Sequence, residues 1–352
     1  MKDAARPDAL RRFAETTLGA PGLRIEPASA DASFRSYWRI FGNGTTWIVM
    51  DAPPGRESLD SWLDVDARLR AAGLHAPDVH AVDRENGFVL MEDLGTRTYL
   101  PELDATTVDA LYADALDALL RMQTRIDPAG LPLFDAAFIA EELERMPEWF
   151  LGRHLGYEIG CDDWDVIELA FRRLIASARE QPQAFMHRDY HSRNLLIVDR
   201  DRRQRPANDP ALPSPGIVDF QDALIGPVTY DLASLLRDCY IAWDAQRVYG
   251  WAETYRERLR HAHLVDAHVD AGRFRRWLDL SGLQRHLKVL GNFSRLWYRD
   301  GKPQYLADLP LTWQYVITVA RRYPETAPLA DLLERALGDR DITQPRGEAL
   351  AR

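Results

Sequence analysis

Two short polar motifs in the middle of the chain, each attached to an apolar strand-like run, carry residue types suited to catalysis. They are HRDYHSRN, residues 187–194, and IVDFQD, residues 217–222. We expect them to place Asp189, Asn194 and Asp219 at neighbouring strand ends. A carboxylate can position or deprotonate an attacking hydroxyl, while an asparagine and an aspartate supply hard oxygen ligands to Mg²⁺. The residues therefore favour phosphoryl transfer from a magnesium nucleotide over a purely structural use in turns.

The elements that must position these motifs begin with a β-sheet. Residues 36–50, SYWRIFGNGTTWIVM, predict two strands joined by a hairpin turn at Asn43-Gly44. Two further strands are predicted near residues 80 and 90, and the second ends in EDLG, residues 92–95. The runs next to the two motifs, residues 194–198 and 216–220, predict short strands as well.

The rest of the chain is predicted to be mainly helical, because apolar residues recur there with a helical period. The predicted helices cover residues 8–18, 58–70, 106–125, 135–150, 163–180, 231–259, 272–298 and 311–336. The order of strands and helices indicates an α+β fold. We expect a sheet-rich N-lobe of residues 1–95, a helical C-lobe of residues 96–337 and a polar tail of residues 338–352.

Composition and charge exclude several classes of protein. The 352 residues carry 44 Lys and Arg against 54 Asp and Glu, a net charge of −10 that disfavours a broad surface for nucleic acid or an anionic membrane. The two cysteines, Cys161 and Cys239, fit neither a disulfide framework nor a zinc pattern. The N-terminus lacks the apolar stretch of a secretory signal, and no window reaches the roughly 18 apolar residues of a membrane helix. We therefore expect a cytoplasmic protein without nucleic-acid or membrane partners.

The two motifs, their strands and the preceding sheet match a known pattern. HxDxxxxN followed by a strand and a metal-binding aspartate is typical of kinase catalytic loops. From about residue 10 to 335 the chain resembles the aminoglycoside phosphotransferase family of small-molecule kinases. This resemblance implies a two-lobed protein-kinase-like fold, with a small antiparallel-sheet N-lobe and a large, mainly helical C-lobe. It also implies ATP and Mg²⁺ as cofactors, Asp189 as catalytic base, Asn194 and Asp219 as magnesium ligands, and backbone contacts from Glu92 and Leu94 to adenine.

Four sequence blocks resemble one branch of this family more closely. They are SADASFRSYWRI, VMDAPP, VDFQDALIGPVTYDLASLLRD and QRHLKVLGNFSRLWYRDGKPQYLADLP. The branch consists of anomeric kinases that act on N-acetylmuramate and N-acetylglucosamine in peptidoglycan recycling. The resemblance implies an amino-sugar acceptor that is phosphorylated on its C1 hydroxyl. An aminoglycoside or another small-molecule hydroxyl is the alternative acceptor, and a nucleotide-binding protein without catalysis is the third interpretation.

The predicted nucleotide side departs from the general kinase pattern at two places. No GxGxxG precedes the hairpin, and Ser33, Phe34 and Arg35 stand there instead. Their backbone amides, the Ser33 hydroxyl and the Arg35 guanidinium are candidates to cover the phosphates, and an ordinary polar turn is the alternative. Met50 occupies the position of the strand lysine. Arg35 and Arg39 are the candidates to replace that lysine.

Other polar residues near the motifs have either a supporting or an acceptor-binding interpretation. His187 is expected to support the catalytic loop through hydrogen bonds rather than transfer protons. Asp231 reads first as a helix N-cap, and the family resemblance adds a role as acceptor for backbone N–H groups of the loop. The candidate acceptor contacts, each of which could instead face solvent or the core, are His191, Asp222, Arg295, Tyr298 and Arg299.

Overall fold

The computed structural model describes residues 6–30, 35–42, 44–56, 58–198 and 214–347. The chain divides into two compact units. The first consists of Met1–Met122 and Arg193–Asp222, and the second of Gln123–Ser192 and Ala223–Arg352. Residues 96–122 and 193–222 are thus grouped with the N-terminal sheet, while the lobe boundary expected after residue 95 stays a prediction.

The first unit contains a five-stranded antiparallel sheet in the order β1-β2-β3-β5-β4. Its strands are β1 (Arg24–Ala30), β2 (Ser36–Gly42), β3 (Thr45–Asp51), β4 (Val79–Asp83) and β5 (Phe88–Glu92). Helix α1 (Arg6–Leu18) precedes the sheet, and α2 (Leu59–Ala71) connects β3 to β4. The unit is completed by two short paired strands, β7 (Leu195–Leu196) and β8 (Gly216–Ile217).

The predicted hairpin is confirmed as the β2–β3 pair. Gly42 pairs with Thr45, and Gly44 adopts a φ of +75°, a conformation that glycine reaches without strain. Asn43 lies outside the described residues. The strands near residues 80 and 90 are β4 and β5. Helix α2 ends at Ala71, and Gly73, two residues later, has a φ of +76° that agrees with the predicted helix stop.

Strand β1 was not predicted, because its sequence, RIEPASA, lacks apolar alternation and contains Pro27. The strand lies at one edge of the sheet, and its pairing with β2 is irregular between Pro27 and Ser29. An edge strand tolerates proline because only one of its sides needs to donate hydrogen bonds. The tertiary position of β1 therefore overrides its weak local signal.

Apolar residues of α1 and the sheet form the core of the first unit. Leu10 and Ala14 of α1 are buried together with Ile40, Val49 and Leu90 of the sheet. Burial of such side chains is the main favourable term in folding, at roughly 1.5–3 kcal/mol for each large aliphatic residue. The amphipathic face of α1 thus docks the helix on the sheet.

The second unit is mainly helical. Helix α3 (Val108–Arg125) belongs to the first unit as far as Met122. The helical elements of the second unit that follow it are α4 (Ala136–Arg145), a π-helical segment (Met146–Leu155), α5 (Cys161–Glu180), α6 (Tyr230–Leu236), α7 (Ala245–His261), α8 (Ala271–Asp300), α9 (Leu309–Ala320) and α10 (Ala327–Leu337). Two 3-10 segments, Leu100–Glu102 and Pro303–Asp308, occur in the chain, the first of them in the first unit. Strands β6 (Gln183–Met186) and β9 (Leu224–Pro227) pair in antiparallel fashion.

Helix α8 is the central element of the second unit. It is 30 residues long, and it packs on α4, the π-helical segment, α5, α6 and α9. Leu280, Leu283 and Leu287 are at most 1% exposed. Asp279 of the same helix is also fully buried, and it accepts hydrogen bonds from the Tyr323 hydroxyl at 2.7 Å and from Arg322 Nη1 at 2.9 Å. A helix buried on most of its circumference requires partners for its polar side chains as well as for its apolar ones.

The structure corrects two predicted helices. The segment 231–259 is two helices, α6 and α7, because the chain turns at residues 237–244 and Asp244 caps α7 by accepting from Gln246 N at 2.8 Å. The segment 311–336 is also two helices, α9 and α10, separated around Pro324, which lacks the N–H that a continuous helix needs. The predicted strands at 194–198 and 216–220 are only two residues long each.

The polar tail expected after residue 337 stays a prediction, but some of its described residues contact the rest of the second unit. Ile342 is 8% exposed and belongs to the core of the second unit. Its carbonyl oxygen lies 2.6 Å from Nε2 of the buried His154. The backbone N–H of Arg346 donates to the Tyr298 hydroxyl at 2.9 Å. This segment is therefore part of the folded unit.

No helix in the described part of the chain combines the length and the apolarity of a membrane span.

Gly291 of α8 packs against the backbone where α4 meets the π-helical segment. A Cβ atom at this position would lie 2.7 Å from Met146 N and would also clash with the Arg145 carbonyl. We predict that Gly291→Ala lowers the free energy of unfolding by about 1–3 kcal/mol in urea melts. Gly250→Ala on α7 is the control. Nothing lies within 4 Å of its Cβ, so this substitution should stabilise the helix by about 0.5–1 kcal/mol. Equal stability of Gly291→Ala and wild type would contradict the close packing.

Candidate active site

The first unit contains a cavity of about 410 Å³ next to the end of β5. Its walls include apolar side chains, among them Ile48, Met91 and Leu196, and its lining also includes Asn194 and Asp219. An apolar slot with a few polar groups on one side is typical of small-molecule and cofactor sites. The cavity can accept a flat apolar ring system in the slot and an anionic group near the polar residues.

Strands β7 and β8 bring Asn194 and Asp219 together. The N–H of Val218 donates to the Asn194 carbonyl at 3.2 Å, and Asn194 Nδ2 donates to Asp219 Oδ2 at 3.0 Å. Asp219 has a φ of +64°, a conformation that non-glycine residues adopt rarely and that recurs at functional sites. The sequence prediction that these two residues lie at neighbouring strand ends is confirmed.

The donor set fits a magnesium ion that also binds phosphate. No group of three His, Cys, Asp or Glu side chains with metal-binding geometry exists among the residues that the structure describes. Asn194 and Asp219 together offer amide and carboxylate oxygens, which are hard ligands suited to Mg²⁺. Mg²⁺ commonly completes its coordination with water and nucleotide phosphates. Two protein ligands are therefore sufficient for such a site.

Gln221 is a further residue of this cluster that the sequence analysis did not identify. It is 8% exposed, and its Nε2 donates to Asp219 Oδ1 at 2.9 Å. Its Oε1 has no hydrogen-bond partner among the described residues. Both Asp219 oxygens are thus oriented by neighbouring amides. Only the position of Gln221 two residues after Asp219 could have suggested this contact.

The segment that follows β5 is held by buried ionic contacts. Asp93 is 3% exposed and accepts from Arg39 Nε at 2.7 Å, from Arg39 Nη2 at 3.0 Å and from Gly95 N at 2.9 Å. Burial by itself raises the pKa of Asp93, but these hydrogen bonds, led by that of Arg39, bring it below its ordinary value. Glu92 and Leu94, the residues predicted to meet adenine, both line the cavity.

The structure distinguishes the two arginines considered as replacements for the strand lysine. Met50 is fully buried in β3, and Arg39 lines the cavity. Arg35 is 7% exposed and is not part of the cavity lining. Ser33 and Phe34, predicted to cover the phosphates, lie outside the described residues. Of the two candidates, Arg39 is therefore the one that lines this cavity, which Arg193 lines as well.

The second unit contains the first part of the HRDYHSRN motif, and two buried carboxylates hold its backbone. Asp231 accepts from His187 N at 2.6 Å and from Arg188 N at 2.9 Å. Asp238 accepts from Ser192 N at 2.9 Å. The interpretation of Asp231 as a helix N-cap is wrong, because Thr229 occupies the cap position of α6. Burial raises the pKa of Asp231 to about 7, although the two backbone N–H donors oppose this shift.

Asp189 lies between these two anchors, and the charges around it favour its ionised form. Burial raises the pKa of Asp189, but Lys288, His191, Arg285 and Arg188 act in the opposite direction and hold it well below its ordinary value. The carboxylate is therefore ionised at neutral pH. In this state it can accept a hydrogen bond from a hydroxyl.

The remaining predicted residues are in different surroundings. The fully buried His187 meets the Tyr190 ring edge-on at 5.7 Å, and His191 meets Tyr240 in the same way at 5.5 Å.

Asp222 is exposed on the first unit, and Arg295 is half-buried on α8. Arg299 is exposed and pairs with Asp300. The Tyr298 hydroxyl is 3.4 Å from His154 Nδ1 and accepts from Arg346, so it is engaged with the chain after α10. Acceptor contacts from His191, Asp222, Arg295, Tyr298 and Arg299 stay predictions.

A family model described as the phosphotransferase enzyme family matches residues 24–265 of the chain. The chain belongs to this family. Its relatives include an N-acetylmuramate/N-acetylglucosamine kinase of Pseudomonas putida, 42% identical over 89% of this chain and 88% of the relative. A protein of the same name from Neisseria meningitidis is 36% identical over 95% of this chain and 96% of its own. These findings confirm the family resemblance and the identification of the chain as a phosphotransferase.

Solved structures share the fold. An apo thermostable mutant of aminoglycoside phosphotransferase APH(4)-Ia matches with a TM-score of 0.56 at 16% identity, over 89% of this chain and 98% of that one. The choline kinase LicA from Streptococcus pneumoniae also matches with a TM-score of 0.56, at 14% identity over 89% and 99% of the two chains. The predicted α+β, protein-kinase-like fold is thereby confirmed for this phosphotransferase.

A buried acidic group on α2 is connected through Arg70 and Asp78 to Glu92, which lines the cavity. Asp66 is 3% exposed, its Oδ2 is 4.0 Å from Arg70 Nη1, and Arg70 in turn contacts Asp78 at 2.5 Å. The N–H of Asp78 donates to the Glu92 carboxylate at 3.2 Å. Asp66 Oδ1 has no hydrogen-bond partner within the described ranges. Burial raises the pKa of Asp66 to about 7.

We predict that Asp66→Asn stabilises the protein at pH 8 more than at pH 5. The folded state raises the pKa of Asp66, so this group's contribution to stability is present below about pH 4 and is lost as the pH rises through about 7. The stability difference between variant and wild type should grow by about 2–3 kcal/mol between pH 5 and 8. Urea melts at both pH values measure it. Asp64→Asn, an exposed site on the same helix, is the control and should retain the wild-type pH dependence. A pH-independent effect of Asp66→Asn would contradict the raised pKa.

Proposed function

We propose that this phosphotransferase transfers the γ-phosphate of ATP to the C1 hydroxyl of N-acetylmuramate and N-acetylglucosamine. The product would be the sugar 1-phosphate, made by a cytoplasmic enzyme of peptidoglycan recycling. The observation that carries the proposal is the 42% identity, over 88% of its length, to a relative named for these two sugars. Fold likeness to aminoglycoside phosphotransferases, at 14–16% identity, supports the fold alone and does not favour an aminoglycoside acceptor.

The cavity of the first unit is assigned to the nucleotide. Backbone groups of Glu92 and Leu94 would bind the adenine edge, and Arg39 and Arg193 are cations that line the same cavity. Asn194 and Asp219 would hold Mg²⁺, which neutralises phosphate charge when it is bound. Gln221 would keep the Asp219 carboxylate oriented through its 2.9 Å hydrogen bond.

Asp189 is assigned to the acceptor hydroxyl. Phosphoryl transfer passes through a loose transition state, so catalysis depends mainly on positioning and charge rather than on a strong base. A carboxylate with a low pKa suits this task, because it remains an acceptor of the hydroxyl hydrogen bond throughout the neutral pH range. The proton of the C1 hydroxyl would pass to Asp189 as the new O–P bond forms. The intact set of Asp189, Asn194 and Asp219 favours an active enzyme over a nucleotide-binding protein without catalysis.

The test of the proposal is ADP release from Mg-ATP in the presence of N-acetylmuramate, N-acetylglucosamine or kanamycin, with ³¹P NMR of the products. We expect turnover with at least one acetylated sugar and a phosphate resonance coupled to the anomeric proton. Phosphate on kanamycin alone, or on a hydroxyl other than C1, would overturn the proposed acceptor or position.

We predict that Asp189→Asn lowers kcat by about 10²–10⁴-fold, because the amide cannot accept the proton and points a donor at the hydroxyl. The dissociation constant for Mg-ATP, measured by calorimetry, should change little. Asp165→Asn, an exposed aspartate on α5, is the matched control and should retain wild-type kcat. A kcat for Asp189→Asn within tenfold of wild type would remove Asp189 from its assigned role.

A further inference from the structure

A fully buried carboxylate, Glu142, joins two cations in the second unit. Glu142 lies on α4 and is 0% exposed. Its Oε1 is 2.6 Å from Arg188 Nη2 and 3.1 Å from Lys288 Nζ. Gln284 Nε2 is 3.5 Å from the other oxygen. A buried charge is costly unless it is paired and hydrogen-bonded, and a pair of cations on one buried carboxylate is a specific arrangement that packing alone does not require.

Arg188 connects this cluster to Asp189. It has a φ of +78°, in the left-handed region that a side chain disfavours. Its backbone N–H is held by Asp231 at 2.9 Å, and its guanidinium is held by Glu142 and lies over the Phe138 ring at 5.1 Å. The residue immediately before Asp189 is therefore fixed at both its backbone and the end of its side chain.

Lys288 is the second cation that contacts Glu142. It is 5% exposed on α8, and its Nζ is 3.4 Å from the Tyr230 hydroxyl as well as close to Glu142. Its charge is one of those that lower the pKa of Asp189. The other charged or titratable groups are Arg285 on α8, His191 and Arg188 on the loop, Asp231 and Tyr230 on α6, and Glu142 on α4.

We propose that Glu142 and Lys288 are positioning residues for Asp189: Glu142 fixes the side chain of Arg188, and Lys288 holds Glu142 in place through their 3.1 Å ion pair. This inference rests on the role proposed above for Asp189. Neither residue is among those that line the nucleotide cavity of the first unit, so their effect is expected in kcat, with the KM for ATP unchanged.

The first experiment exchanges Lys288 for residues of similar length. Lys288→Met removes the charge and keeps the stem, and Lys288→Arg keeps the charge. The readout is the backbone ¹H–¹⁵N resonances of Arg188 and Asp189 at pH 7. We expect Lys288→Met to shift both resonances and Lys288→Arg to restore them, because a cation at this position holds Glu142 against Arg188. Arg275→Met, which removes an exposed cation of α8, should leave them unchanged.

The second experiment measures turnover. Lys288→Met and Glu142→Gln should each lower kcat by about tenfold or more with an unchanged KM for ATP, and Lys288→Arg should recover most of the loss. Arg188→Gly is the variant that removes the contact between residue 188 and Glu142 without straining the backbone. Glycine accepts the left-handed backbone without strain, and Lys288 still pairs with Glu142. Circular dichroism checks that the fold is retained while the link to Glu142 is cut, and kcat of the folded variant should still fall. The variant remains informative where Lys288→Met does not fold.

The proposal is overturned if Arg188→Gly retains wild-type kcat, or if folded Lys288→Met shows the wild-type resonances of Arg188 and Asp189. It is also overturned if Lys288→Met and Lys288→Arg are impaired equally, since that result reports packing rather than charge. The NMR comparison needs no acceptor. A wild-type enzyme that phosphorylates neither acetylated sugar would therefore overturn the proposed function alone, while the NMR comparison still decides the roles of Glu142 and Lys288.

Discussion

The carboxylate of Asp231 makes the two hydrogen bonds on which the geometry of the HRDYHSRN loop depends. It accepts from the backbone N–H groups of two consecutive residues, His187 and Arg188, from inside α6. Two adjacent peptide N–H groups can point at one carboxylate only if the chain turns sharply there, and Arg188 accordingly has a positive φ. The bonds compensate for the desolvation of a fully buried acid, and the acid in return stabilises a backbone conformation that the sequence would not adopt in isolation.

The cavity of the first unit uses different physical means. Apolar residues of the sheet, such as Ile48 and Met91, form part of its lining, and Arg39 is paired there with Asp93. Strand β3 carries no lysine, and its Met50 is buried. Two arginines line the cavity, and one of them, Arg39 on the neighbouring strand, is held bidentately by a carboxylate. Such a planar, pre-oriented group loses little conformational entropy when it binds an anion.

Much of this architecture could be predicted from the sequence, because the informative residues are close together along the chain. The hairpin of β2 and β3, the helix stop at Gly73 and the pairing of Asn194 with Asp219 all follow from local patterns and short spacings. The edge strand β1 and the breaks between α6 and α7 and between α9 and α10 did not follow. In these places packing against the rest of the fold decides where a strand or helix forms and ends. The apolar periodicity is helical both before and after each break, so it does not reveal the break.

The polar contacts that the sequence analysis did not predict share a common feature: their partners are far apart along the chain. Asp231 resembles a helix cap in sequence, but its partners are more than 40 residues earlier in the chain. Glu142 and Lys288 come from separate helices. The one local hint is that Glu142 stands on the same helix face as the buried Ile139 and Leu143, where an acid needs a partner. Sequence spacing cannot identify that partner, because the contact exists only after α4 and α8 have packed together.

The central position of α8 has a consequence for biosynthesis. Helices α4, α5 and α6 leave the ribosome before residues 271–300 have been made, yet they bury their apolar faces, and Glu142 its charge, against that later segment. The nascent second unit therefore lacks its core, and Glu142 lacks the lysine of its buried ion pair, until the last quarter of translation. During this interval the exposed apolar faces are substrates for chaperones and sites of aggregation. Truncated chains that end before α8 should in the same way be cleared by cellular proteases rather than accumulate as folded fragments.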